Sequence, residues 1–246
     1  MENKGITARE VTAREVRTYL DVSHEGKTLT FVYPMAGPGT YAEVGKQIDS
    51  QGLARPTFVQ IVSLVHSAWQ NPENKYSKEI IQTLKDGCFW GFNGILYVPN
   101  EGAYIQDVPK VVNGSVSMDK SDLVKRLEAN DPSVRFAEFG FETGEHLSAR
   151  DLANNEFVIG LVGKEGAYKL AEIAGKYSNN PHVWNFKNVD NKKISVPALC
   201  QGFSGWGKFL FLRGDRLDIQ CGSHCNWNDS YWGGHALGVF ETKKLA

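Results

Sequence analysis

The chain has 246 residues and a mass of 27.3 kDa, which is enough for one large domain or two small ones with a substantial core. Hydrophobic residues make up 41% and charged residues 22% of the sequence, and these ordinary proportions exclude a disordered, collagen-like or coiled-coil chain. The formal net charge is −1, so the composition gives no reason to expect binding to nucleic acid or to an anionic membrane.

The N-terminal residues have mixed charge and lack the apolar run of a secretory signal. No apolar stretch approaches the roughly 18–20 residues that cross a bilayer, so we expect a soluble protein of the cytoplasm. The few cysteines do not predict a disulfide framework in a chain of this length, and we expect most of them to be buried, reduced thiols. They are Cys88, Cys200, Cys221 and Cys225.

Alternating side chains predict a β-hairpin near the N-terminus. Residues 16–22 and 29–33 alternate between apolar and polar types, and residues 23–26 between them are typical of a turn. The preceding repeat TAREVTAREV, at 7–16, has a period that fits neither a helix nor a strand, so we assign it no structure. The glycines and prolines of Pro34–Gly39 are expected to end the sheet.

Capping residues and apolar periodicity predict about five helices in the middle of the chain. The residues that begin them are Thr40, Thr57, Ser77, Ser121 and Ser148. Gly87 is expected to end the third of these helices, and Asp151 completes a capping box with the serine that begins the last.

A three-stranded meander is predicted between Cys88 and Val108. Asn93-Gly94 suits a type I′ hairpin turn because both central residues need a positive φ, and 100–102 supplies the second turn. Farther along, the apolar run Phe157–Val162 predicts a buried strand that continues through Gly163 into a helix.

From His182 onward the sequence is rich in β signals, with a hairpin turn at Gly214-Asp215 and a last strand at His235–Glu241. Strands at both ends flank helices without regular βαβ alternation. The pattern therefore predicts an α+β fold with mixed, mainly antiparallel sheets and a β-rich C-terminal third. No linker divides the chain, so we expect a single domain over 1–246, with a split near residue 115 or 180 as the alternative.

The densest group of reactive side chains lies near the C-terminus, and its first interpretation is a zinc site. The candidate ligands are Cys221, His224, Cys225 and His235. Against this interpretation, Cys221 shares a strand face with Leu217 and Ile219, which predicts a buried thiol. Zinc is the one cofactor that the sequence suggests.

A second interpretation of the same group is a nucleophilic thiol. Cys225 would attack, His235 or His224 would act as the base, and Asp229 would orient that base. The third interpretation is structural, with two half-buried cysteines packed beside a histidine that forms local hydrogen bonds.

Aromatic residues crowd two C-terminal segments and suggest a binding site for a small polar ligand, such as a glycan. Flat rings stack on apolar faces of a ligand, while amide and carboxylate groups bond its hydroxyls. The candidate residues are Trp206, Trp227, Tyr231, Trp232 and Asn228. In the alternative interpretation these rings pack glycine-rich loops onto the sheet.

A weaker pattern is Gly160–Gly166, which lies between the predicted strand and the predicted helix, where phosphate-binding turns occur. It matches neither GxGxxG nor GxxxxGK[ST], and a plain tight turn also explains its glycines.

Three classes of function therefore remain. The favoured one is a binding protein that uses its aromatic C-terminal segments to hold a small polar ligand or a protein partner. The second is a hydrolase or transferase that depends on Cys225 and His235. The third is a structural or assembly protein without small-molecule chemistry.

Overall fold

The computed structural model describes residues 6–13, 15–138, 147–186, 189–204, 212–222 and 234–240. In this part the chain is an α+β protein, as the sequence predicts, with six helices mostly in its middle. They are α1 (Tyr41–Ser50), α2 (Phe58–Gln70), α3 (Lys75–Asp86), α4 (Lys120–Glu128), α5 (Ala149–Asn154) and α6 (Glu156–Ala174). None of these described helices has both the length and the apolar character that crossing a bilayer requires.

The larger sheet is mixed and contains eight of the described strands. In spatial order they are β1 (Thr7–Ala13), β2 (Glu15–His24), β3 (Lys27–Gly39), β14 (Gly234–Val239), β4 (Cys88–Trp90), β12 (Ala198–Ser204), β13 (Leu212–Gln220) and β10 (His182–Trp184). The pairs β14–β4 and β10–β13 are parallel, and the other neighbours are antiparallel.

The smaller sheet is antiparallel and has four described strands, in the order β11 (Lys193–Ser195), β5 (Asn93–Val98), β6 (Gly102–Asp107) and β9 (Val134–Glu138). A separate hairpin joins β7 (Lys110–Val112) to β8 (Ser115–Ser117).

The main core lies between the two sheets, around helices α2 and α6. Helix α2 contacts β2 and β4 of the larger sheet, α6 contacts β6 and β9 of the smaller one, and the two helices pack against each other. The apolar cluster accordingly includes Phe31 and Leu199 from the larger sheet and Ile105 from the smaller. Helix α1 packs on β3 and β14, and its buried residues belong to a second apolar cluster with Trp90.

The N-terminal hairpin is confirmed, with β2 and β3 joined at Glu25 and Gly26. Two expectations beside it are wrong. The first copy of the TAREV repeat lies in β1, which pairs antiparallel with β2; residues 7–11 face 17–21, beyond the second copy. Pro34–Gly39 does not end the sheet, because β14 pairs with β3 along this stretch.

The predicted hairpin turn at Asn93-Gly94 is wrong, because β4 belongs to the larger sheet and β5 to the smaller. Asn93 is fully buried where the chain changes sheets. Its Oδ1 accepts a hydrogen bond from the Phe58 N–H at 2.6 Å, and its Nδ2 donates to Asp107 at 2.5 Å. The second predicted turn is confirmed between β5 and β6, where Asn100 has a φ of 61°.

The strand predicted at Phe157–Val162 is wrong, because these residues form the first half of α6. Asn155 caps the helix by accepting a hydrogen bond from the Val158 N–H at 3.1 Å. Gly163, with φ 70° and ψ 170°, interrupts the helical backbone. A short, continuous apolar run has no periodicity with which to distinguish helix from strand.

The predicted hairpin at Gly214-Asp215 is also wrong, because both residues lie inside the continuous strand β13, which pairs with β12. Asp215 instead accepts hydrogen bonds from the segment that follows α6. Its carboxylate accepts from the Ser178 N–H and its carbonyl accepts from the Asn179 N–H, both at 2.9 Å.

Candidate functional site

Most of the side chains proposed from the sequence lie outside the described residues. These are Trp206, His224, Cys225, Trp227, Asn228, Asp229, Tyr231 and Trp232. The nucleophilic thiol and the aromatic ligand site therefore stay predictions, and so does the zinc site with two of its four ligands outside. Cys221 and His235 are the proposed residues that the structure describes.

Cys221 follows β13 and is fully buried in the main core, and this burial raises the pKa of its thiol. His235 lies on β14, with β4 and β12 between that strand and β13. Three strand spacings correspond to about 14 Å, so these two residues are not neighbours. Within the described residues, no three His, Cys, Asp or Glu side chains come close enough to hold a metal ion.

His235 itself is half-buried. Its Nδ1 is enclosed and has no hydrogen-bond partner among the described residues. Burial lowers the pKa of the imidazole below its ordinary value of 6.5, so the ring is neutral at pH 7.

A cluster of polar side chains that the sequence did not single out lies on the last two strands of the larger sheet, β13 and β10. Along β13, Leu217 and Ile219 face the main core, so the residues that alternate with them face the other side. We call this group the C-terminal polar face; it consists of Arg216, Asp218 and Gln220 of β13 with His182 and Trp184 of β10.

Asp218 is the centre of the C-terminal polar face and is only 1% exposed. Its carboxylate accepts a hydrogen bond from Arg216 Nε at 2.8 Å and another from Trp184 Nε1 at 3.3 Å. The His182 ring stacks on Trp184, with 3.9 Å between ring centroids. Gly202 on β12 leaves room for the ion pair, since a Cβ there would lie 2.5 Å from Arg216 Cγ. The buried negative charge is thus neutralised within the protein.

Unsatisfied amide atoms occur in the residue just after β10 and at the end of β13. Both the Oδ1 and the Nδ2 of Asn185, just after β10, are buried and bond to nothing in the part of the chain that the structure describes. The same is true of Gln220 Oε1. Leaving a buried polar group unsatisfied costs about 1–3 kcal/mol, so a native protein keeps few of them.

Two glycines connect the C-terminal polar face with the second aromatic segment, residues 223–233. Gly222, the described residue before it, packs against the backbone of Trp184 and Asn185. Gly234, the described residue after it, packs so closely on the Trp90 indole that a Cβ would overlap Nε1. A cross-strand row links these points, running Trp90, Ala198, Gln220 and Trp184 on four adjacent strands. The segment therefore leaves and rejoins the sheet at the two ends of one row.

The sequence contained one signal for this site. The alternation along β13 is readable, and it places Arg216, Asp218 and Gln220 opposite the core. A strand face with such residues is usually solvated, and only the structure reveals that Asp218 is buried. No sequence pattern pointed to Asn185, because the burial of its amide atoms depends on residues that are distant in sequence.

A second polar cluster joins the β2–β3 turn to α2 and α6. His24 Nδ1 lies 3.0 Å from Ser63 Oγ, and Lys169 Nζ donates to the same hydroxyl at 3.1 Å and pairs with Glu165 at 2.7 Å. A serine beside a histidine and a lysine is a nucleophile arrangement in principle. Ser63 is 0% exposed, however, and the hydroxyl's bonds tie three elements together. We therefore interpret this cluster as structural.

The proposed phosphate-binding turn at Gly160–Gly166 is wrong. These residues lie within α6, and the described element directly before it is the helix α5 rather than a strand. Gly163 breaks the helical backbone, so a helical segment does begin within this pattern, but it follows another helical segment and not a strand.

The comparisons with known proteins add no relative from which to transfer a function. No family model matches the chain, and neither the curated proteins nor the solved structures include a significant match.

Proposed function

We propose that this chain is a binding protein that holds a small, uncharged polar ligand of glycan-like chemistry at the edge of the larger sheet formed by β10 and β13, next to the C-terminal polar face. The observation that carries the proposal is the Asn185 amide, whose oxygen and nitrogen are both buried without a partner among the described residues. An amide offers one acceptor and two donors, which is the pattern that bonds vicinal hydroxyls.

The charges of the face favour a neutral ligand. Asp218 and Arg216 satisfy each other, so no net charge is left to attract an ion. Among the described residues, the amide atoms of Asn185, just after β10, and the Oε1 of Gln220 are buried without a partner. Because these atoms are buried, they suit a small molecule that enters the protein better than the surface of a folded partner.

The aromatic residues proposed from the sequence belong to this hypothesis. Segment 223–233 contains Trp227, Asn228, Tyr231 and Trp232. The described residue before it packs on the Trp184 backbone, and the one after it packs on the Trp90 indole. In the proposal their rings cover the apolar faces of the ligand while the amides bond its hydroxyls.

Two matched substitutions test the proposal without knowledge of the ligand. Asn185→Ala removes amide atoms that have no partner among the described residues, so we expect the ligand-free protein to keep its free energy of unfolding within about 1 kcal/mol. Asn93→Ala removes a buried amide with both atoms bonded, and we expect a loss of about 2–4 kcal/mol. Urea denaturation of both variants measures the difference. A loss in Asn185→Ala as large as that in Asn93→Ala would show that the Asn185 amide is structural and would contradict the proposal.

A further inference from the structure

Two cysteines face each other across neighbouring strands of the larger sheet. Cys88 begins β4, and Cys200 lies in β12 directly opposite to it in the antiparallel register. Both are buried in the apolar cluster that includes Trp90 and Ala198, and both are reduced in the structure. The two cysteines are far apart in the sequence, and no sequence pattern predicted that they are neighbours.

The hydrogen bonds of the ladder show which kind of pair this is. Gly91 donates its N–H to the carbonyl of Pro197 at 3.1 Å, and these two residues are opposite each other in the same register. They are therefore a hydrogen-bonded pair, and such pairs alternate with non-hydrogen-bonded ones along an antiparallel ladder. Counting back by three positions makes Cys88 and Cys200 a non-hydrogen-bonded pair.

Non-hydrogen-bonded pairs have Cα atoms about 4.5 Å apart and the closest side chains in the sheet. A disulfide requires Cα atoms about 4.4–6.8 Å apart and Cβ atoms that face each other. The usual spacing of a pair of this kind thus falls within the range that a disulfide requires.

We propose that Cys88 and Cys200 form a site of reversible oxidation, at which a small peroxide converts the two thiols into a cross-strand disulfide. One thiolate attacks an oxygen of hydrogen peroxide, which gives a sulfenic acid and releases hydroxide. The second sulfur displaces the sulfenic hydroxyl and forms the S–S bond. Overall, two S–H bonds break, the peroxide accepts two electrons and two protons, and two waters leave.

The disulfide would lie on the strands next to the C-terminal polar face. Cys200 pairs with Cys88 on one side and with Asp218 on the other, so the disulfide would fix β4 to β12 in the row that contains Asp218. It would also close a loop of about 110 residues, which raises stability chiefly by restricting the unfolded chain. The site does not depend on the proposed ligand.

Burial sets the speed of the reaction. It raises the pKa of the Cys88 thiol to about 12, so little thiolate is present at neutral pH. We expect oxidation to be slow at pH 7 and faster at pH 9.

Peptide mapping tests the proposal directly. Native protein is treated with hydrogen peroxide at pH 9, blocked with iodoacetamide in urea and digested with trypsin without reduction. Cleavage after lysine and arginine places Cys88 in peptide 86–110, Cys200 in 194–208, and both Cys221 and Cys225 in 217–243. We expect a cross-link between 86–110 and 194–208, reversed by dithiothreitol. A cross-link to 217–243, separate overoxidised cysteines or unmodified peptides would each overturn the proposal.

Variants add a second readout. Oxidation should raise the melting temperature of the wild type by several degrees, and Cys200→Ala should abolish that rise. Cys221→Ala, a control at another buried thiol, should retain both the rise and the cross-link. If Cys200→Ala does not fold, Cys88→Ala serves the same purpose. A rise that persists without either cysteine would contradict the assignment.

Discussion

Gly234 shows how one missing Cβ shapes the candidate site. The Trp90 indole occupies the space where that atom would be, and its Nε1 donates to the Gly39 carbonyl at 3.1 Å. Glycine is required here by close approach, because an added methyl would displace a buried ring and break its hydrogen bond.

We therefore expect Gly234→Ala to lower the free energy of unfolding by about 1–3 kcal/mol, the usual effect of overpacking a core. Gly175→Ala is the control, because a Cβ at that helix end would meet only ordinary contacts at 3.4 Å and beyond. Urea denaturation compares the two variants. Equal stability in both would mean that the indole is not tightly held.

The ion pair of the C-terminal polar face makes a second prediction for a single residue. Arg216→Met would leave the buried Asp218 carboxylate without its cation, and we expect a loss of about 3–5 kcal/mol. Arg55→Met breaks the pair with Asp49, whose side chain is 51% exposed, so at most about 1 kcal/mol should be lost. Chemical denaturation at pH 7 measures both. Similar small losses would show that water reaches Asp218 freely.

At the scale of elements, the cluster of His24, Ser63 and Lys169 joins a strand turn to two helices and makes stability depend on pH. Burial lowers the pKa of His24 below its ordinary 6.5, with Lys169 lowering it further and the carboxylates Glu25 and Glu165 opposing. The unfolded chain therefore binds a proton more readily than the folded one. Stability contributed by neutral His24 is complete above pH 6.5 and is lost as the pH falls toward the folded-state pKa.

We expect the wild type to lose stability between pH 7.5 and 5.5 and His24→Gln to lose less, because glutamine can still bond the Ser63 hydroxyl and does not titrate. Urea denaturation across this range measures the slopes. His235, whose pKa burial also lowers, contributes equally to both proteins and cancels in the comparison. Parallel slopes would contradict the role assigned to His24.

Elements with local signals were predictable from the sequence, and elements defined by distant partners were not. Thr40 and Thr57 begin α1 and α2 as predicted, because a cap is made within one turn of chain. The third helix ends at Gly87 as predicted but begins at Asn74 rather than Ser77, because the Asn74 side chain accepts from the backbone two and three residues later. Whether Gly214-Asp215 turns or stays extended depended instead on β12.

For the whole molecule, the α+β class followed from the order of strands and helices, but the division into two sheets did not. Asn93 is the residue where the chain changes sheets, and its side chain reaches the start of α2 and Asp107. Such contacts join positions far apart in sequence, so no local pattern contains them. The candidate site has the same origin, since Asp218 of β13 and Trp184 of β10 become neighbours only through the strand order.

The main core supports both sheets together. Apolar residues from each sheet belong to one cluster around α2 and α6. The strand β13 therefore packs against this shared core with one side and carries residues of the C-terminal polar face on the other. This arrangement provides the rigid support that a small buried binding site requires.

Native mass spectrometry of freshly purified protein, compared with its denatured mass, tests the central claim most directly. We expect an excess mass from a neutral organic molecule, or binding of a member of an added panel of monosaccharides and nucleosides, with the signal reduced at least tenfold in Asn185→Ala. An unoccupied wild-type protein that binds none of the panel, or an adduct that Asn185→Ala retains undiminished, would contradict it.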